Sequence, residues 1–218
     1  VDSHADHRAA NYLLGMAFLR KNQPSKGQRY IDRVMKAAGQ AEALYLVGAS
    51  QYEAGDYPAA RETLGKAVAM NPELPGIHTY FAQSLVETGD AEGAKRSFAE
   101  ALKRNPTDFE ANLRYGALLR VESRTAEAAP YLRAAEKLNP NSVALQYQLA
   151  TLYLESNLPQ EALPRLEMIV AANPTYLEAR IALARAYYRL KRKEEGDRER
   201  ENIRKLEAQI QRKEVKNP

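Results

Sequence analysis

The chain has 218 residues, of which 44% are apolar and 28% are charged, and its formal net charge is +4. These values are ordinary for a globular protein, and no apolar run approaches the ~20 residues that a membrane-spanning helix needs. The absence of cysteine excludes disulfides, thiol catalysis and cysteine-based metal sites.

The N-terminal stretch VDSHADHRAA is polar and lacks the apolar core of a signal peptide. It also lacks an initiating Met, so we expect upstream sequence to have been removed, and the sequence leaves the localisation open. The positive charge lies at the other end of the chain. Residues 185–218 contain twelve Lys or Arg against seven Asp or Glu, whereas residues 1–184 are close to neutral.

An Asn-Pro pair recurs every 34 residues along the chain, at Asn71, Asn105, Asn139 and Asn173. Proline lacks an amide hydrogen and disfavours helix in the residue before it, and asparagine tolerates the left-handed conformation that closes many helices. Each pair therefore predicts a helix end. A helix end at constant spacing predicts an internal structural repeat.

Placing the pairs in register divides the chain into six repeats. Each repeat predicts two helices joined by a short turn, as in residues 42–54, 55–58 and 59–70 of the second repeat. The repeats lie near 8–40, 41–74, 75–108, 109–142, 143–176 and 177–214, with an N-terminal extension at 1–7 and a tail at 215–218. We expect one domain over residues 8–214.

Small residues occupy fixed positions in both helices of the repeat. Gly48 and Gly116 share a position in first helices, and Ala94, Ala128 and Ala162 share one in second helices. Glycine inside a helix costs roughly 1 kcal/mol relative to alanine, so its return at one position indicates a steric need. We expect two helices to approach closely there.

The prolines inside the repeats follow the same register. Pro58 and Pro159 stand at the start of second helices, where a missing amide hydrogen costs least. Pro130 and Pro164 are expected to lie within about the first turn of their helices, where proline is tolerated.

This pattern resembles the tetratricopeptide repeat (TPR) family over about residues 8–210. The 34-residue period, the Leu/Val-Gly/Ala step, the small position in the second helix and the closing proline all match, and residues 41–72 are close to the family consensus. The resemblance implies an all-α, right-handed α-α superhelix of about six helix-turn-helix repeats with a C-terminal capping helix. One departure concerns the fourth position of the repeat, where the family usually has an aromatic residue. That position holds Asn11, Leu44, His78, Asn112, Gln146 and Arg180.

The C-terminal helix, predicted over residues 194–214, is charged on all sides except for Ile203, Leu206 and Ile210. The last repeat of a helical array must present a polar outer surface, and Arg200 stands where earlier repeats have a bulky apolar residue. We interpret this helix as a cap. Three apolar positions are too few for a two-stranded coiled coil.

The resemblance also implies that the first helices line a concave groove in which partners bind. Tyrosine and arginine are the residues that most often anchor protein interfaces, so the groove positions that carry them, with two glutamines, are candidate binding residues. The candidates are Tyr45, Tyr52, Tyr80, Gln83, Arg114, Arg120, Tyr147, Gln148, Arg185, Tyr188 and Arg189. Two interpretations of the tyrosines stay open: packing between repeats, or a ligand-facing strip formed by Tyr52, Tyr80, Tyr147 and Tyr188.

Catalytic, metal and cofactor sites are not indicated by the sequence. His4 and His7 lie in the N-terminal extension, His78 is expected to be a packed histidine, and no phosphate-binding loop or nucleophile motif occurs. The family's carboxylate clamp and asparagine ladder both need asparagine at groove positions that here hold other residues. We therefore expect no enzyme activity and no cofactor.

The function predicted from the sequence is non-catalytic protein–protein interaction, as a scaffold or adaptor that binds a peptide or protein segment. We expect acidic groups of the partner near Arg114, Arg120 and Arg185. The alternatives are nucleic-acid binding through basic residues 187–200 and self-association through residues 194–214. Seven acidic residues interleaved among the basic ones of residues 185–218 argue against nucleic acid, because alternating charge along a helix is typical of a solvated surface.

Overall fold

The computed structural model describes residues 14, 15, 18, 23, 26, 27, 29, 30, 32 and 39–216, with side chains as far as Gln211. Most of the first predicted repeat, the extension at 1–7 with its two histidines, and the last two residues lie outside this description.

Every regular element between residues 39 and 216 is an α-helix, and ten helices follow one another there. They are α1 (Gln40–Glu53), α2 (Tyr57–Met70), α3 (Ile77–Glu87), α4 (Ala91–Arg104), α5 (Phe109–Val121), α6 (Thr125–Leu138), α7 (Val143–Glu155), α8 (Pro159–Ala172), α9 (Leu177–Arg189) and α10 (Lys193–Lys216). Odd-numbered helices are the first helices of the predicted repeats and even-numbered helices are the second.

The chain divides into two compact units, Val1–Arg114 and Tyr115–Pro218, and the division falls within α5. In the first unit α1 packs on α2, α3 packs on α4, and α3 also contacts both α1 and α2. In the second unit α7 packs on α8 and α9 on α10, while α9 also contacts α7 and α8. Each of these first helices thus packs on its own second helix and on neighbouring helices of its unit.

The small residues lie where helices of one repeat meet. A Cβ atom added at Gly48 would stand 2.6 Å from the Leu64 Cγ, and one added at Gly116 would stand 2.7 Å from the Leu132 Cγ. Real Cβ atoms do not approach this closely. Ala94, Ala128 and Ala162, on second helices, have no exposed surface. The predicted close approach is confirmed.

The turn between the helices of each described repeat contains one residue with positive φ. These residues are Gly55, Gly89, Ser123, Asn157 and Lys191, with φ between 57° and 82°, and they recur every 34 residues. The left-handed conformation costs an L-residue roughly 1–2 kcal/mol, which glycine avoids. Two repeats use glycine here, and the other three hold a side chain in the same backbone conformation.

The Asn-Pro pairs form a turn of their own. The side-chain oxygens of Asn71, Asn105 and Asn173 each accept a hydrogen bond from the backbone N–H two residues later, at 3.1–3.3 Å. This local bond closes a turn after the helix, which cannot continue through the proline. The pair therefore ends one helix and directs the chain into the next.

The departure at the fourth position of the repeat has a structural explanation. Side chains of Asn112, Gln146 and Arg180 donate to the backbone carbonyl of the proline six residues earlier, at 2.9, 2.7 and 2.6 Å. His78 holds the same position of an earlier repeat, and the Pro72 carbonyl raises its pKa against the effect of burial. Four consecutive repeats thus place a polar side chain at this position, and in three of them the side chain donates to the proline carbonyl of the preceding turn.

The expectation for two of the prolines is wrong. Pro58 and Pro159 lie in the first turn of their helices as predicted, but Pro130 and Pro164 are the sixth residues of α6 and α8. A proline there removes the hydrogen bond to the carbonyl four residues earlier. Both prolines lie on the exposed side of their helix, where water can satisfy that carbonyl.

We expect Ala128→Leu to lower the free energy of unfolding by about 1–3 kcal/mol, because the larger side chain has no room in a fully buried position. The matched control is Ala126→Leu, which adds the same atoms on the exposed side of the same helix. Urea unfolding followed by circular dichroism measures both. Equal stability of the two variants would contradict the close packing of α6.

We expect Asn112→Leu to lower the free energy of unfolding by about 1–3 kcal/mol, since Asn112 is buried and leucine removes its hydrogen bond to the Pro106 carbonyl. Asn141→Leu, at an exposed loop position, is the control and should stay within ~0.5 kcal/mol of the parent protein. If Asn112→Leu is as stable as the control, the bond to the proline carbonyl contributes nothing to the repeat.

Candidate functional site

Three of the candidate tyrosines form one cluster in the first unit. The ring of Tyr80, from α3, meets the rings of Tyr45 and Tyr52, from α1, edge to face at centroid distances of 5.9 and 6.0 Å. Tyr57 lies against Tyr52 at 5.3 Å. Edge-to-face contacts at these distances stabilise aromatic pairs, so the rings hold one another in place.

The two interpretations of the tyrosines divide within this cluster. Tyr45 is 4% exposed and belongs to the hydrophobic core of the first unit, together with Leu46 and Leu64. Tyr52 and Tyr80 are only half-buried. Tyr45 therefore supports the cluster from below, and Tyr52 and Tyr80 present its surface.

Carboxylates surround the tyrosine cluster. Glu110 accepts hydrogen bonds from the buried Gln83 at 3.1 Å and from the Arg114 Nε at 2.6 Å, and Glu53 accepts the Tyr80 hydroxyl at 3.2 Å. From the sequence, Arg114 is expected to be available to a ligand, and Glu110 does not stand out. The structure pairs the two, four residues apart on α5, so Arg114 already has a carboxylate partner.

The pKa of the Tyr52 hydroxyl depends on the burial and the charges at this surface. Burial raises its pKa from 10.0 to about 12, and Glu87, Tyr57 and Glu110 act in the same direction while Arg114 opposes them. Burial raises the pKa of an acidic group because it disfavours the charged form. The Tyr52 hydroxyl is therefore neutral at neutral pH.

In the second unit Arg120 is engaged by its neighbours. Its Nε donates to the Gln148 side-chain oxygen at 2.9 Å, and a terminal nitrogen donates to Glu155 at 2.5 Å. The Arg120 side chain is 13% exposed. Arg120 and Gln148, both candidates from the sequence, therefore join α5 to α7 and leave little of the guanidinium for a ligand.

Tyr147 of α7 is half-buried against Tyr176, with ring centroids 5.4 Å apart. Burial raises the pKa of its hydroxyl. Since Tyr176 lies just before α9, this contact belongs to the packing of one repeat on the next.

The remaining candidates, Arg185, Tyr188 and Arg189, lie on α9 and are exposed. The Tyr188 hydroxyl donates to Asp197 at 2.7 Å, and Arg189 donates to the Leu154 carbonyl. Within the described part of the chain, neither arginine has a carboxylate oxygen within 4.0 Å. These two guanidinium groups differ in this from Arg114 and Arg120.

A cleft of about 480 Å³ opens between α9 and α10 beside these residues. We call it the terminal cleft. It is lined by Ile181, Ala184, Arg185, Tyr188, Arg189, Arg200 and Ile203. From the sequence, Arg200 is assigned to the cap alone. The signal that could have placed it in a site is the excess of arginine on both helices of the last repeat.

His78 is buried, as expected, at 7% exposure. Burial lowers its pKa, the Pro72 carbonyl opposes this effect, and its Nε2 has no hydrogen-bond partner among the described residues. It borders a cleft of about 470 Å³ near the end of α4. Among the residues given side chains, no three His, Asp or Glu form a group that could hold a metal ion. Over the same part of the chain, no helix is both long and apolar enough to cross a bilayer.

We expect the raised pKa of Tyr52 to make the protein lose stability in strongly basic solution. Between pH 10 and about 12 the hydroxyl ionises in the unfolded chain but stays protonated in the folded one, so the free energy of unfolding falls as pH rises. Tyr52→Phe removes this contribution while keeping the ring. The variant should show a shallower decrease over that range in urea unfolding, and an identical decrease would contradict the shift.

Comparison with protein families identifies the repeat independently. Two family models described as tetratricopeptide repeats match the chain, the first over residues 12–75 and 81–143 and the second over 121–174. The first alone matches more than half of the chain.

Solved structures agree on the fold. MamA (41-end) from Desulfovibrio magneticus RS-1 matches with a TM-score of 0.69 and 19% identity, covering 79% of this chain and 97% of that one. A thermophilic TPR protein from Thermus thermophilus has a TM-score of 0.61 and 22% identity over 83% of this chain and 99% of its own. A tetratricopeptide repeat protein from Parabacteroides merdae has a TM-score of 0.65 and 17% identity, covering 95% of this chain and 87% of that one.

These matches confirm the fold class predicted from the sequence, an all-α TPR solenoid. With more than half of its length matched by the family model, the chain belongs to the tetratricopeptide repeat family.

Proposed function

We propose that this protein is a non-catalytic scaffold or adaptor that binds a peptide or protein segment on surfaces formed by its first helices. Tetratricopeptide repeat proteins are generally non-catalytic scaffolds, and the fold and the MamA-like neighbours fit a protein-interaction role. The geometry within each unit supports a binding surface of defined chemistry.

The observation that carries the proposal is the tyrosine pair of the first unit. Tyr52 and Tyr80 stand edge to face at 6.0 Å, half-buried, on two consecutive first helices. The Tyr80 ring also packs against the buried Tyr45, so the protein loses little side-chain freedom when a partner covers the pair. Tyrosine surfaces of this kind contribute large contact areas at low entropic cost.

The charges around the pair favour a partner segment with basic or hydrogen-bond-donating groups at this place. Glu53 and Glu87 are exposed and Glu110 is half-buried, against one cation, Arg114, which already pairs with Glu110. The sequence predicts acidic partner groups near Arg114, Arg120 and Arg185. Of these three, Arg185 suits an acidic partner group best, because its guanidinium has no carboxylate oxygen within 4.0 Å in the described chain, whereas Arg114 and Arg120 are paired.

Nucleic-acid binding stays the less favoured alternative. In the basic C-terminal region Arg192 pairs with Glu195 at 2.8 Å, and both Arg204 and Lys205 lie within 4 Å of Glu201. Ion pairs along one helix neutralise the surface that phosphates would need. Self-association through α10 is the other alternative, for which Ile210, 40% exposed, is the main apolar contact available.

Site-specific photocrosslinking tests the proposal. A photoreactive phenylalanine derivative replaces Tyr80 on the first-helix surface, or Lys66 on an exposed position of the second helix α2 as the matched control. We expect crosslinks to a partner protein from position 80 and few from position 66. Circular dichroism verifies that both variants fold.

Two results would contradict the proposal. One is a complex that forms with both variants but crosslinks only through position 66, which would place the partner on the second helices. The other is recovery of RNA in place of protein, with retention that falls steeply as salt is raised.

A further inference from the structure

We infer that the terminal cleft between α9 and α10 is a docking site for an acidic amphipathic helix of a partner protein. The inference deepens the proposed function and rests on it, since it names the chemistry of a partner segment at one end of the chain.

The register of the repeat shows what kind of element fits the cleft. One repeat earlier, the position of Ile203 is held by Ile169, which is 1% exposed because α9 packs over it. The position of Ile181 is held there by Tyr147, which the chain entering α9 covers through Tyr176. The terminal cleft is therefore the surface on which the first helix of a further repeat would pack.

The apolar part of this surface lies uncovered within the described chain. Ile181 is 49% exposed, whereas the same position of the repeat is buried in the first unit, with Tyr45 at 4% and Thr79 at 5%. Ile203 is half-buried beside it. An exposed apolar surface in register with buried ones indicates a place for a helix with an apolar side.

The polar part of the cleft is cationic. Arg185 and Arg189 from α9 and Arg200 from α10 line it, and none has a carboxylate oxygen within 4.0 Å in the part of the chain given side chains. Among the described residues, the one acidic side chain bonded to the cleft lining is Asp197, which accepts a hydrogen bond from the Tyr188 hydroxyl.

Three carboxylates of neighbouring helix turns already have partners. Glu155 pairs with Arg120 and Glu199 with Arg180, at 2.5 and 2.6 Å, and Glu195 pairs with Arg192. Within the described chain the three arginines of the cleft therefore have no ion-pair partner of their own. Arginine binds carboxylates through paired hydrogen bonds, so carboxylates of a partner are the matching groups.

The lining is also held in position before any partner arrives. Arg189 is fixed by the Leu154 carbonyl, and the Tyr188 ring lies so close to Gly196 that a Cβ there would stand 2.7 Å from it. Preorganised side chains lose less freedom on binding. A second copy docked symmetrically would bring the same arginines of both copies together, so charge favours an acidic partner over self-association.

The probe for this site is a fluorescein-labelled helical peptide of about 16 residues, roughly four turns, with leucine along one side and glutamate elsewhere. Fluorescence anisotropy measures its binding to the full chain. We expect binding that weakens as salt rises, and about tenfold weaker binding to Arg185→Ala/Arg200→Ala, because both lost contacts are exposed charge pairs.

The matched control is Arg133→Ala/Arg198→Ala, which removes two exposed arginines outside the cleft and should bind the probe as the parent protein does. The inference would be overturned if both variants lost the same affinity for the probe, or if a peptide with lysine in place of glutamate bound equally well. It would also be overturned if single-stranded RNA displaced the probe from the parent protein and no longer bound the cleft variant. A dimer that Arg185→Ala/Arg200→Ala abolishes would assign the cleft to a second copy and overturn it as well.

These outcomes separate the inference from the proposed function. If the cleft variant binds the probe normally while position 80 still crosslinks to a partner, the inference fails and the interaction role stands. If position 80 gives no protein crosslinks and the probe does not bind, both fail.

Discussion

The packing of the helix pairs depends on one steric constraint, the small size or absence of the side chain where the two helices come closest. Gly48 and Gly116 leave room for Leu64 and Leu132, whose Cγ atoms occupy the space that a Cβ would need. Because those leucines have no exposed surface, a displacement of either helix would open a void or force a clash in a close-packed interior. The constraint fixes the position of each second helix on its first, and so fixes which side of the first helix stays open to a partner.

The fold could be predicted because its determinants are local or periodic. Asn-Pro pairs at constant spacing indicate where helices end, and small residues at constant positions indicate where helices meet, so a single sequence shows both. The proline carbonyls show where such prediction stops. At the fourth position Asn112 and Gln146 look like defects in the family pattern, but in space each reaches back to a proline carbonyl six residues earlier. The sequence contained a signal, because a polar residue stands at the fourth position of four consecutive repeats. The acceptor, the proline carbonyl, becomes evident only in the folded turn.

The candidate site was less predictable, because the side chains that decide its charge are far apart in sequence. The positions of Tyr52, Tyr80, Arg114 and Arg120 follow from the register, but the partners do not: Arg120 meets Gln148 and Glu155 from the next repeat, 28 and 35 residues away. A position in a repeat predicts which way a side chain points and not whether another side chain has already neutralised it. Burial separates residues of one cluster in the same way, with Tyr45 enclosed in the core and Tyr80 half-exposed above it.

The last described repeat leaves open two positions that the repeats before it cover. Inner repeats bury the positions of Ile169 and Tyr45 under neighbouring helices, so those positions are under packing constraint alone. In the last described repeat no helix of the described chain covers the same positions, which hold Ile203 and Ile181 with arginines around them. A helix that only keeps the surface polar does not need a half-exposed isoleucine between guanidinium groups that lack a carboxylate partner within the described chain. Acidic side chains between those guanidinium groups would make the surface more polar, and the rest of α10 has such ion pairs. That contrast within one helix is the reason to regard the terminal cleft as a surface for binding and not only as an end.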